Sequence, residues 1–245
     1  MSARLDLAGS ATRNLVLAGM VSGDLEALLE TLVSVRLPAG EVICEQDQRL
    51  APVWFPLTAV ASVVTLMKDG RAVESETVGC EGAIGILDAL GASPCAERTI
   101  IQIPGIALRL PAASLRARFE RSGSLRHLLV RHVQAHLVQA RQSTACNALH
   151  GVGQRLARWL LTSLDRTGGA SVPLTQQYLA LMLGAQRTTV NQAVVELARE
   201  GVIGQRRGGL DILDRAGLEA RSCECYRAVR NQLARLIGQA PNCGV

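Results

Sequence analysis

Two small sets of residues in this 245-residue chain have the type and spacing for metal or thiol chemistry. His132 and His136 stand four apart, which places two imidazoles on one face of a helix where they can chelate an ion. No Glu stands between them in the HExxH manner and no third ligand is evident from the sequence. The alternative is a pair of exposed or interface histidines. Cys223 and Cys225 form a CxC pair suited to redox or metal chemistry, or else serve as small helical residues near the end of the chain. Cys44, Cys80, Cys95 and Cys146 are scattered. A thiol or metal enzyme built on either set is the rival reading. There is no glycine-rich phosphate loop, dinucleotide fingerprint or GxSxG nucleophile elbow.

A more informative spacing lies between Pro173 and Leu197. Thr175 can cap a helix that starts at Gln176, runs to Leu183 and stops at Gly184, a residue suited to left-handed backbone. A second helix begins near Arg187. Counted from Gln176, Ala180 is fifth, Gly184 ninth and Val190 fifteenth. A helix-turn-helix needs a small residue at the fifth place so that the helices approach. It needs positive φ at the ninth and a β-branched apolar residue at the fifteenth to fix the crossing. Leu179, Leu183, Val194 and Leu197 supply its core. A hairpin around Arg206-Arg207-Gly208-Gly209 follows directly, as a wing does. The alternative is an ordinary αα-hairpin.

The elements that must position this motif read as follows. Residues 14–33 carry leucines at helical spacing, with Ser22 as a candidate cap. From about residue 35 to 110, short β-branched runs at 41–44, 53–55, 60–67, 72–78, 99–103 and 107–110 alternate with Gly, Pro and Asp turn signals, the pattern of a β-barrel or sandwich. Asp69-Gly70 marks the clearest hairpin. A short helix spans 111–119. Residues 124–149 contain neither Pro nor Gly and carry Leu125, Leu129, Val133 and Leu137 at four-residue steps. That helix would be on the order of 40 Å long. Its apolar stripe predicts a dimer interface, with packing on its own barrel as the alternative. Asn147 and His150 close it as hinge or packing residues. Further helices are expected at 152–164, 176–183, 187–200 and 218–237.

Composition narrows the class. With 48% hydrophobic and 19% charged residues the chain can fill one core or two small ones and is not disordered. The apolar runs are too short to span a membrane, and the first residues lack the basic-then-apolar pattern of a secretory signal, so a cytoplasmic protein without membrane partners is expected. The odd count of seven Cys then predicts reduced thiols. Residues 1–149 are balanced in charge, and the net +5 falls entirely within residues 150–245. A basic C-terminal part suggests a polyanionic partner, or merely a solvated face.

Taken with Val53-Trp54-Phe55-Pro56, Val78-Gly79-Cys80-Glu81-Gly82, Ala145-Cys146-Asn147, Arg155-Leu156-Ala157-Arg158-Trp159 and Ile212-Leu213-Asp214-Arg215-Ala216-Gly217-Leu218, the helix-turn-helix resembles the Crp/Fnr family of bacterial transcription regulators over nearly the whole chain. The resemblance implies an α+β fold. Its parts are an N-terminal cyclic-nucleotide-binding-like β-barrel (double-stranded β-helix, residues 1–122), a dimerisation helix (123–149), a winged helix-turn-helix (150–217) and a C-terminal helix and tail (218–245). It implies a homodimer on a two-fold symmetric operator in double-stranded DNA, and RNA polymerase as a further partner. By position, Arg187, Thr188, Asn191 and Gln192 are the base readers, and Thr175, Gln176, Arg206 and Arg207 the phosphate contacts.

In the effector pocket the chain departs from the pattern. Family members that bind cyclic nucleotides carry Gly-Glu, whose Glu accepts the ribose hydroxyl, and later Arg-Ser-Ala/Thr. Here Gly85 is followed by Ile86, and Arg98-Thr99 stands at the later place. Arg98 can take the phosphate position or simply pair with Glu97. The expectation is an allosteric small-molecule effector other than cyclic AMP, or a constitutive regulator with an empty barrel. No cofactor, metal or catalytic residue is assigned. With no Cys before Cys44, an N-terminal iron–sulfur cluster is excluded.

Overall fold

Apolar residues recur at helical spacing before residue 30 and form strand-like runs thereafter, and the chain divides accordingly. The computed structural model describes residues 2–48, 52–91 and 94–238. It opens with α1 (Ser2–Ala11), α2 (Leu15–Ala18) and α3 (Ser22–Leu29). The expected helical stretch over 14–33 is therefore two short helices. Val21 rather than Ser22 is the cap residue of α3, and the chain has become extended by Val33. Asn14 explains the start of α2. Its side-chain oxygen accepts from the Val16 and Leu17 amides while its NH2 donates to the Pro56 and Gly82 carbonyls, so a fully buried amide is satisfied.

Seven strands follow: β1 (Val33–Leu37), β2 (Val42–Cys44), β3 (Pro52–Pro56), β4 (Val60–Leu66), β5 (Ala72–Val78), then, after α4 (Ile86–Gly91), β6 (Arg98–Ile103) and β7 (Gly105–Pro111). They form two antiparallel sheets, β1-β7-β3 and β2-β6-β4-β5, an unclosed barrel. Leu37, Trp54, Ala61, Val78, Ile101 and Ala107 fill part of its core. The expectation of reduced thiols is corrected: Cys44 and Cys95 are disulfide-bonded. The pairing of β2 with β6 draws the end of one strand towards the segment leading into the other, with Cα atoms 6.8 Å apart.

The rest of the chain comprises α5 (Ala112–Arg121), α6 (Gly123–Leu149), α7 (Val152–Thr167), β8 (Ser171–Val172), α8 (Gln176–Leu183), α9 (Arg187–Arg199), β9 (Ile203–Arg206), β10 (Gly209–Ile212), α10 (Arg215–Arg221) and α11 (Cys225–Ile237). The single helix expected over 218–237 is thus broken at residues 222–224. Ser122 caps α6 by accepting from the Leu125 amide. Asp24 in turn accepts from the Ser122 and Ser124 hydroxyls and pairs with Arg118, which ties the N-terminal helices to the start of α6. The stripe on α6 splits. Leu125, Leu128 and Leu129 join the core beneath the barrel, while Val130 and Leu137 stay exposed on the other face.

Helix α7 locks the two ends of the molecule together. Leu156, Leu160 and Leu164 share one core with residues of α8, α9 and the small β8-β10-β9 sheet, and Val60, Val64, Ile100 and Ile103 of the barrel belong to that same core. Trp159 Nε1 donates to Glu74 Oε1 over 3.1 Å. Arg166, only 5% exposed, pairs through Nε with Glu81 Oε1 at 2.6 Å and donates from Nη2 to the Thr77 carbonyl and Gln139 Oε1. Its stem lies so close to Gly79 that a Cβ there would stand 2.8 Å from Arg166 Cδ, which explains the glycine.

His132 and His136, expected exposed or at an interface, face β5 instead. His132 is buried, and His136 Nδ1 pairs with the Glu76 carboxylate. The two Nε2 atoms are 2.7 Å apart. Burial and the neighbouring His136 push His132 well below the usual histidine range. Burial would also lower His136, but the charge and hydrogen bond of Glu76, with Glu81 beyond, outweigh it and the opposing Arg166, so it is raised. Of the two, His136 is the one that takes up a proton charge more readily, and when charged it donates to both Glu76 and His132. A raised histidine stabilises the fold fully below its unfolded value and loses that contribution as the pH rises through the folded value. Accordingly, the loss in urea-unfolding free energy caused by His136→Gln is expected to be larger at about pH 6 than at about pH 9. A difference independent of pH would contradict this charge assignment.

Candidate nucleic-acid interface

The local signals around residue 175 act as the sequence suggests. Thr175 Oγ1 accepts from the Tyr178 amide and caps α8. Gly184 ends that helix at φ +55°, ψ +40°, its N–H donating to the Ala180 and Leu181 carbonyls. Val190 is fully buried between the helices, with Leu179, Leu183, Val194 and Leu197 around it. Arg155 braces the turn from α7 by donating to the Leu183 carbonyl and to Asn147 Oδ1.

The outward face of α9 is bare. Arg187 opens the helix, and Arg187, Thr188, Asn191 and Gln192 are all exposed, at i, i+1, i+4 and i+5. No side chain caps its N-terminus, so its first amides are free to meet an anion. The wing forms as expected: β9 pairs with β10, and Gly208 takes φ +78° at the turn. Arg206 and Arg207 are exposed, the former pairing with Asp211 at 3.0 Å. Thr175 is exposed on the chain's approach to α8. Gln176 opens α8, and its side chain lies outside the described residues. Recognition helix, wing and cap belong to one unit with one core.

The four residues expected in the effector pocket are differently placed. Ile86 is buried in the core beneath the barrel, and Thr99 is buried within β6. Arg98 pairs with Glu45 at 3.0 Å, rather than with Glu97. Gly85 takes φ +83° just before α4. None of the four lines the cavity of about 390 Å³ that opens between β5, α6, α7 and α11, beside Glu74, Arg158, Arg166, Tyr226, Arg230 and Leu233. Sequence reasoning missed that cavity, and it missed that Cys223 and Cys225 close upon Cys146 and His150. The two pairs of side chains come from segments far apart in the chain, and the CxC spacing announces only one of them. No described helix is long and apolar enough to cross a membrane.

An unclosed β-barrel joined through a long helix to a winged helix-turn-helix defines a DNA-binding transcription regulator. Residues 154–221 match the Crp-like helix-turn-helix domain. The HTH-type transcriptional regulator Cmr of Mycobacterium tuberculosis (strain CDC 1551 / Oshkosh) is 30% identical over 206 residues, covering 81% of this chain and 80% of that one. Two solved structures share the fold. FixK2 from Bradyrhizobium japonicum has a TM-score of 0.67 at 17% identity, covering 78% of this chain and 98% of its own. A CRP-family transcriptional regulator from Thermus thermophilus has a TM-score of 0.66 at 20% identity, covering 77% and 96%. The chain belongs to the Crp/Fnr family of transcription regulators.

The turn yields a direct test. At Gly184 a side chain would face left-handed backbone, and its Cβ would stand 2.9 Å from Val73 Cγ2 on β5. Gly184→Ala is expected to lower the unfolding free energy in urea by roughly 1–2 kcal/mol. Unchanged stability would mean that neither constraint operates.

Proposed function

We propose that this regulator binds a two-fold symmetric operator as a homodimer joined along α6, with Arg187, Thr188, Asn191 and Gln192 reading base edges. Thr175, Gln176, Arg206 and Arg207 hold phosphates. The observation that carries the reading is the bare face of α9, which presents four polar side chains from a rigidly packed helix. Arg187 suits guanine O6/N7, and Asn191 and Gln192 suit adenine N6/N7. The exposed Val130 and Leu137 on α6 support the dimer. The units are residues 1–122, 123–149, 150–217 and 218–245. The protein works in the cytoplasm by binding rather than catalysis, and RNA polymerase is the partner to which a bound dimer passes its signal.

A small-molecule effector other than cyclic AMP sets the DNA affinity by shifting α6 and α7. Ile86, sunk in the apolar core, offers no polar group to a ribose hydroxyl. The same observation favours, as a second reading, a constitutive regulator whose barrel is purely structural. Operator binding that no metabolite pool alters would select the second.

Two measurements test the DNA reading. Light scattering at micromolar concentration should give twice the chain mass, and half-site centres mapped by genomic occupancy should lie about 34 Å apart or a multiple of it. A monomer would overturn the dimer. On a site so mapped, Arg187→Ala is expected to cost on the order of 1–3 kcal/mol and to relax preference at one base pair per half-site. Arg206→Ala and Arg207→Ala should weaken specific and scrambled duplexes alike and reduce the slope of log affinity against log salt by roughly one each. The opposite pattern would exchange the roles of reader and clamp.

A further inference from the structure

The break between α10 and α11 and the end of α6 meet at one point. Cys146 lies in the last turn of α6 and His150 is its C-terminal cap residue. Cys223 falls in the break and Cys225 opens α11. The three sulfurs and an imidazole nitrogen all lie within 4.8 Å of one another. The Cys146 and Cys223 sulfurs are 3.5 Å apart, and Cys225 Sγ is 3.6 Å from His150 Nδ1. All three cysteines are buried and none is disulfide-bonded. We propose that Cys146, Cys223, Cys225 and His150 Nδ1 form a mononuclear binding site for a thiophilic divalent cation of the zinc type.

The geometry fits that ion. Zn–S bonds of about 2.3 Å and Zn–N bonds of about 2.0–2.1 Å set tetrahedron edges near 3.8 Å between sulfurs and 3.5 Å between sulfur and nitrogen. Two edges already have such lengths, and the longest needs to close by only about 1 Å. Three thiolates and one imidazole select zinc over the oxygen-loving cations. Four protein ligands leave no open position, so the site is structural and not catalytic. The surroundings are those of a ligating histidine. His150 Nε2 stands 3.2 Å from Glu224 Oε2, so Nε2–H donates to a carboxylate and Nδ1 is left as the free electron pair. Gln142 Nε2 donates to Cys225 Sγ at 3.1 Å, as an amide does to a thiolate. Arg155 and Arg158 lie close enough to bias the cysteines electrostatically. On binding, the thiol protons pass to solvent and the cation takes their place. The ion would tie the end of α6 to the α10–α11 junction, beside the helix-turn-helix.

The test uses the full chain, reduced and stripped with a chelator under argon, then titrated with Co²⁺. The expected result is a tetrahedral d–d spectrum with thiolate-to-cobalt charge transfer, saturating at one equivalent and displaced by Zn²⁺. Cys225→Ser should weaken Co²⁺ binding at least about 100-fold, and Glu224→Gln about 10–100-fold, with unchanged far-ultraviolet circular dichroism. His132→Gln, at the other histidine pair, should leave the spectrum as it is. A reduced wild-type chain that gives only an octahedral spectrum without charge transfer overturns the proposal, whatever the variants do. So does a cobalt spectrum abolished by His132→Gln but not by Cys225→Ser.

Discussion

A guanidinium cannot be buried unless its charge is met, and in this protein the charge of Arg166 is met across the seam between its two halves. Glu81, the Thr77 carbonyl and Gln139 receive its donors, and they come from the loop after β5, from β5 itself and from α6. Removing one partner of such a buried pair costs about 3–5 kcal/mol, because the other is left desolvated and alone. The position of α7 is therefore fixed from both sides at once. Gly79 is small because the arginine stem crosses it. Trp159, two turns earlier on α7, reaches Glu74, a carboxylate that burial pushes upward and that Ser62 and Thr77 also solvate.

Much of the helix-turn-helix was legible because its signals are local. A threonine cap, a glycine with positive φ and a β-branched residue at the crossing lie within sixteen residues of sequence. The helices they delimit, α8 and α9, have nearly the bounds read from the chain. The Asp69-Gly70 hairpin was legible for the same reason, and Gly70 takes φ +84° there. The edge strand β1 was not read. Three of its five residues are exposed, so its run Val33-Ser34-Val35-Arg36-Leu37 lacks the apolar density of a central strand.

What escaped the sequence is long-range. Nothing in the helical periodicity of 218–237 marks the break at 222–224, where neither Gly nor Pro stands. The break exists because α10 packs on α7 while α11 turns to lie along α6. That turn brings Cys223 to Cys146 across 77 residues and His150 to Cys225 across 75. The histidines at 132 and 136 were legible as a pair on one face, but which way the face pointed depended on Glu76 in β5. Family resemblance carried the outline of the effector pocket, and the cavity between β5 and the helices lies outside that outline.

The shared core of α7 bears on how such regulators are assembled over evolutionary time. Val60, Val64, Ile100 and Ile103 of the barrel and Leu156, Leu160 and Leu164 of the helix belong to one apolar body. A gene fragment encoding only the DNA-reading half would express a protein with an uncovered hydrophobic flank, prone to aggregate. Recombination cannot move this helix-turn-helix onto a new sensor as a free cassette. It must carry a matching β surface with it, so the two halves diverge together and the seam between them changes as a pair.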